Sequence, residues 1–380
     1  TAAISGGRLY LEKLLPQFAE LDSGHEFLVL QAGDLNSLAA AIDDPRVQFV
    51  RANIPFLKDG QWAGASILRM LWRKFVLPFH LRRLQPDLLF SNSGTVPLAK
   101  PAKTRTLIAL HNCMPLNSKL IAEERSPVRR WRLRMLRRQM LHSLQACDGS
   151  IAFSEDTRRR IRENFGELPH LPAMVHHAID WGEAERQSVI SFDELQRQGI
   201  KRPYILCVSQ FHRYKNVVRL VEAFARVAAN HPQLQLALVG AAADGDYWNE
   251  VATAIETSQV AERIVHLPAV PREQLIALYR GALGFVQPSL AETCSFPLLE
   301  ALALGVPAAA ANSTAMPEMA GEAALYFDPL NVGEMSEIME RLVWDENLRG
   351  ELSCKAIEQA AKFTWEQTAR RTLAVFDQVV

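Results

Sequence analysis

Cysteine is scarce and unpatterned in this 380-residue chain. The five residues fall at 113, 147, 207, 294 and 354, and no two form a Cys-x-x-Cys pair. That argues against a disulfide framework and a zinc site, and for a reducing compartment. No apolar run reaches the roughly 18 residues that cross a bilayer. No secretory leader is present, so the expectation is a cytoplasmic protein. An initiating Met is also missing: the chain opens TAAISGGRLYLEKLL, as if a first strand had been clipped. No Gly-x-Gly-x-x-Gly follows an apolar run, which argues against a nicotinamide dehydrogenase. There is no internal repeat and no low-complexity segment. Asp and His clusters with metal-ligand spacing are lacking too. The one Asp-x-Asp pair, Asp244-Gly-Asp246, follows LALVGAAA and reads as an exposed loop.

A charge excess is absent overall: 42 Lys and Arg balance 42 Asp and Glu. The balance is uneven along the chain. Residues 1–180 carry 25 basic and 17 acidic side chains, and residues 181–380 carry 17 and 25. A basic half of this kind suits an anionic partner.

What the sequence does have is a long alternation of apolar, β-rich runs with helical patterns. The first half holds EFLVLQAG, VQFVRANIP, PDLLFSNS, TLIALHN and GSIAFSE. The second holds YILCVSQ, LQLALVG, RIVHLPA, LGFVQPS, GVPAAAAN and AALYFDP. Continuous apolar strands imply sheets buried on both faces, and strand-helix alternation implies parallel order. The expectation is α/β, with two doubly wound domains facing across a cleft. Residues 1–175 form the first domain, 176–203 a linker and 204–361 the second. The helical segment 362–380 follows a complete second domain and can fold back on the first. Ligands bind such sheets beyond the carboxyl ends of the strands, so the loops there matter most.

The stretch PSLAETCSFPLLEALALGVP, from Pro288 to Pro307, places Glu292 and Glu300 eight positions apart among small and apolar residues. LGFVQPS reads as a strand, LAETC as a loop and SFPLLEALALG as a short helix. Ser295 serves as its cap, Pro297 sits in the first turn and Gly305 ends it. A carboxylate can accept two hydrogen bonds from a sugar diol. The free N–H groups around Thr293–Phe296 suit a phosphate. A bare pair of glutamates would read as surface residues; the surrounding residues say more.

This stretch resembles the Glu-x7-Glu signature of retaining nucleotide-sugar glycosyltransferases, in particular glycosyltransferase family 4 with the GT-B fold. Pro288, Ser289, Glu292, Pro297, Glu300, Ala301, Ala303, Gly305 and Pro307 match it. Asn312, Pro317, Glu318, Gly321, Ala323, Ala324, Asp328 and Pro329 match its continuation. The family's Gly-Phe-Gly after the first glutamate is Thr293-Cys294-Ser295 here, and its Gly-Arg after the first donor-domain strand is Ser209-Gln210.

The resemblance implies two Rossmann-like domains and a set of roles. Lys215, with Asn216 after it, supplies the cation that neutralises a leaving diphosphate, and Arg213 is a second candidate. Ser209, Gln210, Cys294, Ser295 and Phe296 lie on the donor loops, and Glu300 takes the ribose hydroxyls. Gly6 and Gly7, at the start of the first amphipathic helix, let backbone approach the donor or acceptor. His111, directly after TLIAL, and Glu292 orient the transferred sugar. Ser154 reads simply as a helix cap. The base is expected against backbone near Val265–Pro268. No metal is implied. The donor is a UDP- or GDP-linked hexose, mannosyl- or glucosyl-like. The acceptor is a growing surface glycan or lipid-linked saccharide, as in lipopolysaccharide synthesis. An epimerase or a phosphorylase shares the fold, but a phosphorylase needs a pyridoxal lysine and the second half offers no obvious spare one. An impaired GT-B protein that only binds glycan or nucleotide sugar is the alternative.

One further feature stands apart. RSPVRRWRLRMLRRQML carries seven arginines from Arg125 to Arg138, with Trp131 among them. A basic amphipathic helix of this kind reads either as a solvated helix packed on the sheet or as an anionic membrane contact at the inner face of the plasma membrane. The second reading draws on Arg129, Arg130, Trp131, Arg134 and Arg137.

Overall fold

The computed structural model describes residues 6–21, 24–31, 42–51, 71–97, 99–179 and 192–380. Residues 1–5, where a clipped first strand would end, and residues 180–191 of the expected linker lie outside these.

The first half runs α1 (Gly6–Glu20), β1 (Phe27–Gln31), β2 (Val47–Arg51), a π turn at Trp72–Val76, α2 (Leu77–Leu84), β3 (Leu88–Ser91), β4 (Arg105–Ala109), α3 (Ser118–Glu123), α4 (Pro127–Ala146), β5 (Gly149–Ala152), α5 (Glu155–Phe165) and β6 (Ala173–Met174). Among the described residues β1 and β2 form a parallel pair of their own, and β3, β4, β5 and β6 form a parallel sheet in that order. Every residue of β5 is buried, as is all of β4 after Arg105. β6 went unnoticed in the sequence because two residues carry no period; its pairing to β5 marks it.

The second half runs α6 (Phe192–Arg197), β7 (Tyr204–Val208), α7 (Val217–Ala228), β8 (Gln235–Val239), α8 (Gly245–Thr257), β9 (Ile264–Leu267), α9 (Arg272–Gly281), β10 (Gly284–Gln287), α10 (Phe296–Ala303), β11 (Ala308–Ala311), α11 (Met316–Ala320), β12 (Ala324–Phe327), α12 (Val332–Trp344), α13 (Glu346–Ala360) and α14 (Trp365–Val379). The helices form because apolar residues recur at helical spacing. In α7, Val217, Leu220, Val221, Phe224 and Val227 line one buried face.

The six-stranded parallel sheet has the order β12-β11-β10-β7-β8-β9. The chain therefore reverses direction across the sheet between β7 and β10. The loops leaving these two neighbouring strands diverge, and the crevice between them is where open α/β sheets take ligands. Lys215 lies on one loop and Glu292 on the other.

α14 leaves the second domain and packs on the first. Thr368, Thr372 and Phe376 sit four apart on one face. Thr368 Oγ1 donates to the His176 carbonyl at 2.9 Å. Thr372 Oγ1 lies 3.2 Å from Tyr10 Oη. Phe376 packs edge-on to Phe18, with ring centroids 5.6 Å apart. One apolar cluster runs through both domains, from Tyr10 through Tyr204 to Phe376.

Candidate active site

The loop after β7 turns through a short 3-10 segment, Arg213–Lys215, into α7. Asn216 ends that turn in the left-handed region, at φ 61°, which Asn tolerates better than most residues. Its Nδ2 donates to the carbonyls of Pro288 at 3.1 Å and Pro329 at 2.7 Å. The loops after β7, β10 and β12 are thereby tied together.

Lys215 Nζ lies 2.5 Å from Glu292 Oε1. Burial works to lower the lysine's pKa, but the Glu292 carboxylate and the Tyr214 hydroxyl more than offset it, and the net displacement is upward. Lys215 is therefore a fixed cation. Its ammonium also lies over the Tyr214 ring, 5.1 Å from the centroid. Glu292 is 8% exposed. Its backbone N–H donates to Thr314 Oγ1 at 3.0 Å, and Gln287 Nε2 approaches its carboxylate at 3.4 Å.

Ser295 occupies the N-cap position of α10, but it forms no side-chain cap bond. This corrects the expectation that it caps the helix: its hydroxyl is buried without a partner. The first-turn N–H groups of α10 thus get no acceptor from Ser295. Cys294 points away into the core, its Sγ 3.8 Å from Met319 Sδ. Phe296 packs against His177 with ring centroids 4.8 Å apart. Glu300, one turn further on and 7% exposed, accepts from Tyr279 Oη at 2.9 Å.

The first domain contributes His111, two residues past the end of β4. Its Nε2 meets Asn92 Oδ1, and its ring stacks on Phe153 at 4.4 Å. Asn92 Nδ2 also donates to the Gly7 carbonyl, so one side chain orients both the histidine and the start of α1. A Cβ on Gly7 would approach Asn92 Nδ2 at 3.2 Å, which accounts for the small residue there; Gly6 begins the same helix. Asn92 was not found in the sequence. Its position just after β3, as His111 follows β4, is the signal that marks it. Thr293 Oγ1 donates across the domains to the His111 carbonyl at 3.0 Å. Burial first, and then the Glu292 carboxylate, push the Cys113 thiol up to about 12. The loop that starts at His111 thus faces the Lys215–Glu292 pair.

Other expected residues do not converge. Arg213 is committed to Glu250 at 2.6 and 2.5 Å and lies over the Tyr247 ring, so its charge is already answered. Ser209 is buried and its hydroxyl donates to the Gln210 carbonyl at 3.1 Å. Gln210, half-buried and neutral, supplies no charge. Asp244 is not an exposed loop residue. It is the buried N-cap of α8 and pairs with Arg129 of α4. Arg125, just before α4, meets Glu250 at 3.1 Å, so the start of α4 and the residues leading into it brace the second domain. Arg137 bonds Pro115 O at 3.0 Å and Asn164 Oδ1 at 2.8 Å. Arg129 and Arg137 are therefore held within the protein and are unavailable to a membrane. Ser154 caps α5 as expected, accepting from Thr157 N at 3.2 Å.

Burial holds His111 near pKa 3 and keeps His177 well below its ordinary value. An unfolded histidine binds a proton near 6.5. Between about 3 and 6.5 the unfolded chain therefore holds more protons, so stability falls as pH falls through that window. Urea midpoints should drop between pH 6.5 and 4.5, and His177→Gln should flatten the slope. An unchanged slope would contradict the assignment.

The Glycosyltransferase Family 4 domain matches residues 4–181, and the Glycosyl transferases group 1 domain matches residues 192–362. The chain belongs to the group 1 glycosyl transferases. Among the curated proteins similar to this chain is the serotype-specific mannosyltransferase WbdA of Escherichia coli. It is 24% identical over 247 residues, which are 63% of this chain and 30% of that protein. The D-inositol 3-phosphate glycosyltransferase of Corynebacterium jeikeium is 28% identical over 45% of this chain and 42% of its own length. The chain thus spans less than half the length of these relatives. Its architecture is GT-B. Sucrose-phosphate synthase of Thermosynechococcus elongatus superposes with a TM-score of 0.76 at 18% identity, covering 99% of this chain and 94% of that one.

Proposed function

We propose that this group 1 glycosyltransferase moves a hexose from a UDP- or GDP-linked donor to a hydroxyl of a growing surface glycan or lipid-linked saccharide, with retention and without a metal. The observation that carries the reading is the buried Lys215–Glu292 pair at the β7–β10 reversal, beside an α10 N-terminus that Ser295 leaves uncapped. The mannosyltransferase names among the relatives support the substrate class.

In this mechanism the donor diphosphate lies against Lys215 and the first-turn amides of α10. Glu300 accepts from the ribose hydroxyls. Glu292 and neutral His111 hold the sugar. The acceptor hydroxyl approaches on the face the diphosphate is leaving. The anomeric carbon–phosphate oxygen bond breaks, the new carbon–oxygen bond forms, and the acceptor proton goes to the departing phosphate oxygen. Closure of the two domains excludes water. Proton NMR of the product tests the stereochemistry: the donor's anomeric configuration is expected to survive, and inversion contradicts it. Turnover is expected to survive chelation; loss that added magnesium restores contradicts a metal-free step.

Glu300→Gln should raise the donor KM by roughly 10- to 100-fold, the worth of a charged hydrogen-bond acceptor, with kcat little changed. Steady-state kinetics check it. A normal KM would show that Glu300 does not hold the ribose.

The membrane reading narrows to one face of α4. Val128, Trp131 and Met135 are 72%, 64% and 43% exposed, at helical spacing i, i+3 and i+7, and Arg134 is exposed beside them. This face suits an anionic headgroup layer. No helix among the described residues is long and apolar enough to cross a membrane. Sedimentation with phosphatidylglycerol vesicles should bind the chain, and Trp131→Ala with Arg134→Gln should release most of it. Equal binding by the variant contradicts the surface.

A further inference from the structure

A cavity of about 300 Å3 opens where the segment after β6, the second domain and α14 meet, lined among others by His176, His177, Glu318, Lys362, Gln367 and Arg371. None of His111, Lys215, Glu292 or Glu300 lines it. We propose that this cavity is a second binding site, for a small phosphate monoester, adjoining the donor crevice through the His177 ring, whose centroid lies 5.1 Å from that of His111 and 4.8 Å from that of Phe296.

Four observations point to an anion. The first is His177. It is 2% exposed, packed face-on to Phe153 at 3.9 Å, and its Nδ1 is buried without a partner. Its ring forms part of the cavity wall, and a buried nitrogen without a partner marks a place where the packing leaves a polar group unanswered. The second is charge. Among the described residues Arg371 has no ion-pair partner, and Lys362 is bound only to the neutral Gln359 Oε1, at 2.8 Å. The third is the first turn of α14, whose Thr364, Gln367 and Thr368 line the space. Thr364 Oγ1 serves the Gln367 N–H, which leaves the N–H groups of Trp365 and Glu366 without intrahelical acceptors. The helix is fifteen residues long, so its positive end is fully developed.

The fourth is that the acid on the wall is already spent. Glu318 accepts from the Glu155 backbone N–H at 2.7 and 3.0 Å and from His176 Nε2 at 2.8 Å. It closes α11 against the start of α5, across the domain boundary. What lines the cavity besides the paired Glu318 carboxylate is two cations, a helix N-terminus and the His177 ring. That set matches a phosphate dianion, and the amide and hydroxyl of Gln367 and Thr364 suit the hydroxyls of a sugar carrying it. The volume fits a hexose phosphate and is too small for a nucleoside diphosphate sugar. Because the walls come from the segment that follows the first domain, from the second domain and from α14, which packs on the first, occupancy couples to the angle between the domains, and through linkage donor binding and occupancy affect one another.

The test uses the full chain with 15N-labelled histidine, titrated with inorganic phosphate, glucose 6-phosphate and glucose. The donor crevice is silenced by Lys215→Met/Glu292→Gln, which removes both charges of its pair together. The expected result is a saturable shift of the His177 ring resonances with either phosphate, tighter for glucose 6-phosphate. It should persist in the Lys215→Met/Glu292→Gln chain and weaken roughly tenfold or more in Lys362→Gln/Arg371→Gln. Both of the latter positions are exposed, so that variant keeps its fold. The proposal is overturned by no shift, by an equal shift with glucose, by unchanged affinity in Lys362→Gln/Arg371→Gln, or by loss of the shift when the donor crevice is silenced.

Discussion

Lys215→Met is expected to lower transfer by on the order of 10^3-fold, the cost of removing a preorganised charge from a leaving group. Two effects must be separated. The Lys215 and Glu292 side chains are only 11% and 9% exposed. Removing the cation strands a buried carboxylate, which costs about 3–5 kcal/mol of stability. Lys215→Met/Glu292→Gln removes both charges and should recover most of that stability. On the proposed mechanism it should recover none of the turnover, because the diphosphate would still lack its counter-ion. Lys215→Arg should not rescue activity, since the planar guanidinium does not fit the space of an ammonium. Thermal unfolding and nucleotide release read the two effects independently. Turnover near that of the unmodified chain in Lys215→Met would remove Lys215 from the chemistry.

Gly240→Ala is expected to disable the second domain. Gly240 follows β8 at φ +137°, where a side chain is strained, and a Cβ there would lie 1.8 Å from the Ser209 carbonyl oxygen. That neighbour is backbone and cannot swing away. Ser209 N donates to Val239 O at 2.8 Å, and Gly240 N donates to Leu267 O at 2.8 Å. Three strands are therefore locked together at the point of contact. A methyl group must pry β7 from β8 just where the loop that carries Lys215 begins. The expected loss is about 4–5 kcal/mol, or roughly 10 °C or more in Tm, with nucleotide binding lost as well. A Tm within about 2 °C of the unmodified chain would contradict the packing described.

The architecture was legible in the sequence because parallel strands buried on both faces are short continuous apolar runs, and each of the eleven read there forms a strand. The glutamate pair was legible because its geometry is local: strand, loop and helix lie within twenty residues. Pairings between distant segments left no such trace. Arg213 reads as a free cation until Glu250 appears beside it on α8. Arg129 reads as a membrane residue until Asp244 answers it from 115 positions away. Asp244 in turn reads as a loop residue because nothing in its neighbourhood announces the arginine. Asn92 had no motif at all. Thr293 stands where a glycine was expected, and the structure gives its hydroxyl a partner in the other domain.

The most direct measurement is nucleoside diphosphate release from UDP- and GDP-linked hexoses, with calorimetric binding of the same donors to the same folded sample. At least one donor should bind and turn over in the unmodified chain, and neither binding nor turnover should survive intact in Lys215→Met. A folded chain that binds none of these donors and releases no diphosphate would contradict the account.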